Sequence, residues 1–157
     1  MNKNIIKNQK GFTLIELLVV IGILAVLLAI TLIAINPAKQ FAQANNTKRR
    51  SDVNAILNAI DQYAADNKGV LPANIPDTVA GAKDISDTGA DICADLVTKY
   101  LAALPSDPQK GSPASQIGAP CPATYDSDYY VVKSTTDNRV TVSAHDPELG
   151  DSISVTR

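Results

Sequence analysis

The sequence predicts an α+β fold: a long N-terminal helix whose lower half is apolar enough to cross a membrane, and a small C-terminal head. The head is predicted to contain a three-stranded antiparallel sheet. Three observations carry this. Residues 12–35 form a run of 24 positions with one charge, Glu16. Residues 38–67 carry an apolar stripe of helical period. Residues 128–156 hold three short runs rich in Val, Tyr, Ser and Thr, parted by turn residues. A chain of 157 residues holds one ordinary domain beyond such an appendage. Its net charge of −2, 4% aromatic content and lack of Trp leave little material for a base-stacking, positively charged surface. Two cysteines are too few for a disulfide-dense miniprotein or an all-cysteine zinc site.

The chain opens MNKNIIKNQK, with Lys3, Lys7 and Lys10 and no acid, followed by Gly11. As a helix the run FTLIELLVVIGILAVLLAITLIAI is about 36 Å long, enough for a hydrocarbon core of roughly 30 Å. It is apolar all round, unlike a soluble core helix. An ordinary cleaved signal peptide fits poorly, because its apolar region is usually about 7–15 residues. The Ala42-Gln43-Ala44 triplet lies well past the apolar run. Lys39, Lys48, Arg49 and Arg50 follow the span as the leading lysines precede it, so charge alone leaves orientation open. An acid such as Glu16 inside a membrane helix costs a few kcal/mol. Two readings follow: it snorkels to the interface, or it has a partner.

Lys10-Gly11-Phe12-Thr13-Leu14-Ile15-Glu16, followed by Leu17-Leu18-Val19-Val20, resembles the class III signal of type IV pilins and type II secretion pseudopilins. The resemblance implies that a membrane-embedded prepilin peptidase cuts after Gly11 and N-methylates Phe12. It puts the basic leader on the cytoplasmic side of the inner membrane. It also implies that Glu16 of one subunit meets the Phe12 amine of a neighbour and sets the axial register of a filament. The physics is compatible. Gly11 has no side chain to obstruct a cleft, and pairing lowers the burial cost of both charges. The resulting segments are a leader at 1–11, a transmembrane or filament-core helix at 12–36, an amphipathic upper helix at 37–68 and a head at 69–157.

Asn36-Pro37 interrupts the apolar run, so a kink, a melted turn or a helix restart is expected there. Beyond it Val53, Ile56, Leu57, Ile60, Tyr63 and Ala64 form one stripe. Gly69 and Pro72 stop the helix. Lys48-Arg49-Arg50 reads as a solvated charged face. In the head, residues 70–90 read as loop, 91–103 as a short helix and 105–124 as a Pro-rich loop. Residues 128–134, 139–144 and 152–156 read as the three strands. Their order, with Leu104-Pro105-Ser106-Asp107-Pro108 before them, resembles the major pseudopilin of type II secretion and short pilins. In an extracytoplasmic head Cys93 and Cys121 are expected to form a disulfide, with two free thiols the alternative.

No phosphate-cradling Gly loop or His-rich cluster is present. His145, the single histidine, lies between Ser143 and Asp146 without the geometry of a catalytic relay. Asp126, Asp128, Asp137, Asp146, Glu148 and Asp151 are the acids that would gather around a calcium ion. The resemblance points to calcium in this region in some major pseudopilins, yet the Gly- and Asp-rich loop is missing. The expectation is therefore no cofactor, and solvated surface for these acids. After residue 36 the chain carries fifteen acids against eleven bases, which opposes nonspecific DNA binding.

The sequence thus points to a structural, non-enzymatic filament subunit, a type IV pilus or type II secretion pseudopilus protein. It is anchored as a single-pass precursor and later displayed outside the cytoplasm. By resemblance its partners are copies of itself, minor pilins, the prepilin peptidase, an assembly ATPase and a platform protein. The alternative is a membrane-anchored extracytoplasmic binding domain that never polymerises.

Overall fold

Thr13 and Glu16 start the first helix together. In the computed structural model, which describes residues 11–78, 80–112, 118 and 120–157, helix α1 runs Leu14–Ile35 with Thr13 as its N-cap. The Thr13 hydroxyl accepts the Glu16 backbone N–H at 3.3 Å. The Glu16 carboxylate accepts the Thr13 backbone N–H at 2.7 Å and its hydroxyl at 2.8 Å. This reciprocal box satisfies donors that the first helical turn leaves free. No residue of α1 is buried. The leader lysines lie outside the described residues.

Asn36 ends α1 and begins α2. Its backbone is left-handed (φ 46°, ψ 77°), which asparagine tolerates better than most residues. Pro37 then takes the first position of α2, Pro37–Asp66, where its missing N–H is not needed. The Asn36 side-chain oxygen accepts the Lys39 N–H at 3.3 Å, capping the new helix. The interruption is therefore a full restart. At the far end Gly69 (φ 87°) donates its N–H to the Ala64 carbonyl at 2.7 Å. The left-handed turn needed to close the helix falls on Lys68 and Gly69.

The chain divides between Gln40 and Phe41 into two compact units. In the second, α2 buries Val53, Ile56, Leu57, Ala59 and Ile60 in the same apolar core as Tyr129, Val131, Val140 and Val142 of the sheet. The sheet is an antiparallel meander in the order β1 (Lys83–Ser86), β2 (Asp126–Lys133), β3 (Val140–Ala144), β4 (Ser154–Thr156). Tyr129 pairs with Ala144, Val131 with Val142 and Lys133 with Val140, so one face of β2 and β3 looks into the core.

The α+β arrangement matches the sequence expectation, with two corrections. The sheet has four strands, because β1 falls in the segment read as loop. Its Lys-Asp-Ile-Ser has one strong hydrophobe, Ile85, and becomes a strand by pairing with the edge of β2. The helix expected at 91–103 shrinks to one turn, α3 (Cys93–Leu96). Val97 is extended and Thr98 left-handed (φ 74°). The β-branched pair Val97-Thr98 favours leaving the helix. Ile92, Leu96 and Leu104 are nonetheless all buried in the core. Cys93 and Cys121 are joined by a disulfide, tying α3 to the Pro-rich loop.

The expectation of a solvated Lys48-Arg49-Arg50 face is overturned at its middle residue. Arg49 is 1% exposed. It lies four residues before Val53, and Asn46 lies seven before, so both sit on the buried face of α2. Arg49 Nε and Nη2 donate to the two carboxylate oxygens of Asp107 at 2.5 and 3.2 Å. Its Nη1 donates to Asn46 Oδ1 at 3.0 Å and to Glu148 Oε2 at 2.9 Å. Asn46 in turn donates to the Glu148 carbonyl at 2.7 Å and accepts the Glu148 N–H at 2.9 Å. Asp107 also accepts the N–H of Gln109 at 2.8 Å. Gly111 lets this loop lie close to β2, since a Cβ there would stand 2.7 Å from the Ser127 carbonyl oxygen. Arg49 thus pins two distant loops to one helix.

Removing one partner of a buried ion pair leaves the other uncompensated. Arg49→Ala is expected to destabilise the head by about 3–5 kcal/mol, read as a shifted denaturant midpoint in near-UV circular dichroism. A pH effect follows from the same cluster. Burial pushes the Asp107 carboxyl up, but hydrogen bonds from Arg49, Gln109 and Lys110 outweigh it and hold the group below its ordinary value. Hydrogen bonds from Arg49 and Asn45 hold Glu148 down as well. A carboxyl depressed in the folded state contributes stability above its unfolded value, near 4, and loses it as pH falls through the folded value. Head stability is expected to fall below about pH 4, and Asp107→Asn to flatten that acid limb in a pH series of thermal melts.

Candidate functional site

The residues singled out for processing and assembly lie at the open end of α1. A Cβ built on Gly11 would meet nothing within 4 Å. Phe12 is 86% exposed, and the apolar side chains of α1 stand uncovered on every face. The structure brings Glu16 to Thr13. Thr13-x-x-Glu16 is the sequence signature of a capping box, so the acid has a local partner beside either membrane reading. An acid in the first turn also lies at the positive end of the helix dipole.

Three of the six acids considered for calcium are engaged one by one with cations. Lys110 pairs with Asp146. Arg49 holds Glu148 at 2.9 Å. Arg50 holds Asp151 at 2.7 Å. Asp137 accepts the Arg139 N–H in the β2–β3 turn. Asp126 accepts the Asp128 N–H at 2.8 Å. The structure does not bring these six together as one ligand set.

His145 also finds partners other than those its sequence neighbours offered. Its Nδ1 lies 3.2 Å from Asp128 Oδ1 and its Nε2 3.1 Å from the Tyr130 hydroxyl. The Tyr130 and His145 rings sit 4.7 Å apart, tilted. Asp84, from the strand missed in the sequence, completes a group: ligand atoms of Asp84, Asp128 and His145 lie within 4.8 Å of one another. Sequence reasoning could not assemble these three, because β1 itself was unseen.

A bare apolar helix with a Gly-Phe-x-x-x-Glu start, followed by a helix-and-meander head, defines a pilin-like class. The prokaryotic N-terminal methylation motif matches residues 6–32. Over 103 residues the chain is 33% identical to the type II secretion system core protein G of Escherichia coli (strain K12). That stretch covers 64% of this chain and 66% of that protein. The chain thus spans just under two thirds of the relative's length. No solved structure matches. The resemblance to the type IV pilin and type II secretion pseudopilin family is shown by these two comparisons, and they support a pilin- or pseudopilin-type subunit. The motif and the apolar helix together fit a membrane-anchored precursor.

Proposed function

We propose that this chain is a structural, non-catalytic subunit of a type IV pilus-like or type II secretion pseudopilus filament. The observation that carries the reading is α1: 22 residues, matched as far as residue 32 by the methylation motif, with no residue buried. Such a surface needs lipid before assembly and other helices after it. In this reading prepilin peptidase cuts after Gly11 and methylates Phe12. An assembly ATPase and a platform protein then draw the subunit from the inner membrane into a polymer with copies of itself and minor pilins. The assembled filament stands outside the cytoplasm.

Glu16 then has two successive partners. In the lone subunit its carboxylate closes the cap with Thr13. In the filament it faces a neighbour's Phe12 amine and sets register. The capping box favours one second reading, a non-polymerising anchor, because it gives Glu16 a local role without any neighbour.

Mass spectrometry of the N-terminal peptide from a sheared surface fraction tests processing. The expected peptide begins at Phe12 with one added methyl group, and a chain still beginning at Met1 overturns the reading. Two variants separate the roles of Glu16. Glu16→Gln retains an oxygen able to accept the Thr13 N–H but loses the charge, whereas Glu16→Ala loses both. Loss of filaments in both, at normal expression, is the outcome expected of a register charge. Normal filaments from Glu16→Gln alone reduce Glu16 to a cap, normal filaments from both remove Glu16 from assembly altogether, and a native chain found in no filament favours the anchor.

A further inference from the structure

We propose that Asp84, Asp128 and His145 form a binding site for a divalent transition cation of the Zn²⁺ class on the head. The site lies where the β1–β2 ladder is irregular. Asp84 pairs with Tyr130 and Ser86 with Asp126, so β2 spends four residues where β1 spends two. Asp128 sits inside that bulge in left-handed conformation (φ 57°), and is only 9% exposed. Bulges re-aim side chains, and this one brings the Asp128 carboxylate to His145, just past β3.

Two buried oxygens there have no protein partner: Asp84 Oδ1 and Asp128 Oδ2. A buried carboxylate oxygen without a donor is costly. No lysine or arginine reaches either atom among the described residues; Lys110 is committed to Asp146. A dication satisfies both oxygens at once. The imidazole is already oriented for it. The tautomer in which Nε2–H donates to Tyr130 leaves the Nδ1 lone pair facing the carboxylates, the outer partner fixing the ring as at metal-bound histidines.

The donor set is one nitrogen and two carboxylate oxygens, which suits Zn²⁺ and its neighbours better than Ca²⁺, an all-oxygen ion. The ligand atoms now lie within 4.8 Å of one another. Tetrahedral closure at ordinary bond lengths brings them to about 3.4 Å. The His145 side chain, 43% exposed, has room to make that adjustment and leaves water the remaining position.

The chain has one histidine and its two cysteines are paired, so nitrogen ligation by a side-chain imidazole has a single candidate. The test uses the full chain in detergent, stripped with chelator and titrated with Zn²⁺ alone by calorimetry. The expected result is one Zn²⁺ per chain, a shift of the lone imidazole resonance on addition, and at least tenfold weaker binding in His145→Ala and Asp128→Asn. Asp137→Asn is the unaffected control. If Asp128→Asn fails to fold, His145→Ala and the imidazole shift decide alone. Absence of stoichiometric binding, an unmoved imidazole resonance, undiminished affinity in His145→Ala, or displacement of Zn²⁺ by equimolar Ca²⁺ would each overturn the site.

Discussion

The head depends on a charge kept out of water. Arg49 stands where a hydrophobe would otherwise continue the buried face of α2, and it is tolerable there only with its partners in place. Asp107 offers both oxygens, Glu148 a third and Asn46 a fourth. The loop before β2 and the turn after β3 therefore have no freedom to drift along the helix. A hydrophobic side chain at this position would accept many packings; a guanidinium with five fixed acceptors, Gln109 Oε1 at 3.2 Å being the fifth, accepts one. The apolar core supplies cohesion in the usual way, and the arginine supplies the alignment of loops against helix.

Neighbouring polar contacts repeat the pattern at smaller stakes. The Tyr129 hydroxyl donates to Asp52 at 2.9 Å, so β2 is tied to the same helix from within the core. Lys48 donates to the Ser106 carbonyl at 3.0 Å, beside the Asp107 contact. Arg157 bonds Asn58 and closes a backbone pair with Val140. The disulfide adds a covalent tie between α3 and the Pro-rich loop, where hydrogen-bonded regular structure is sparse. By the loop-closure argument a bridge spanning 28 residues contributes on the order of 3–4 kcal/mol.

What the sequence disclosed and what it hid follow one rule. Features written by period were legible: the apolar span, the stripe from Val53 to Ile60, and the Tyr-Val and Val-Thr alternation of β2 and β3. Features written by partners were not. Arg49 and Asn46 hold the correct helical phase to be buried, but polarity marked them as surface until Asp107 and Glu148 were seen beside them. The strand β1 has too few hydrophobes to announce itself and exists because β2 has an edge to fill. The cluster of Asp84, Asp128 and His145 depends on that strand and on a two-residue bulge. The capping box is the exception: Thr13-x-x-Glu16 is a partnership written locally, three residues apart, and needs no distant element to be read.

The pins that hold the head join residues far apart along the chain. Asn46 and Arg49 contact Glu148 across sequence separations of 102 and 99, and Arg50 contacts Asp151 across 101. Contacts of such separation form late, because the intervening loop must close first. The consequence concerns birth rather than architecture. While the chain is being made, the buried face of α2 emerges with a bare arginine that waits 58 residues for Asp107 and 99 for Glu148. Until residues 148–157 are present, the head is an open half-core, and the nascent chain is at its most exposed to proteolysis and to mispairing with other half-made copies.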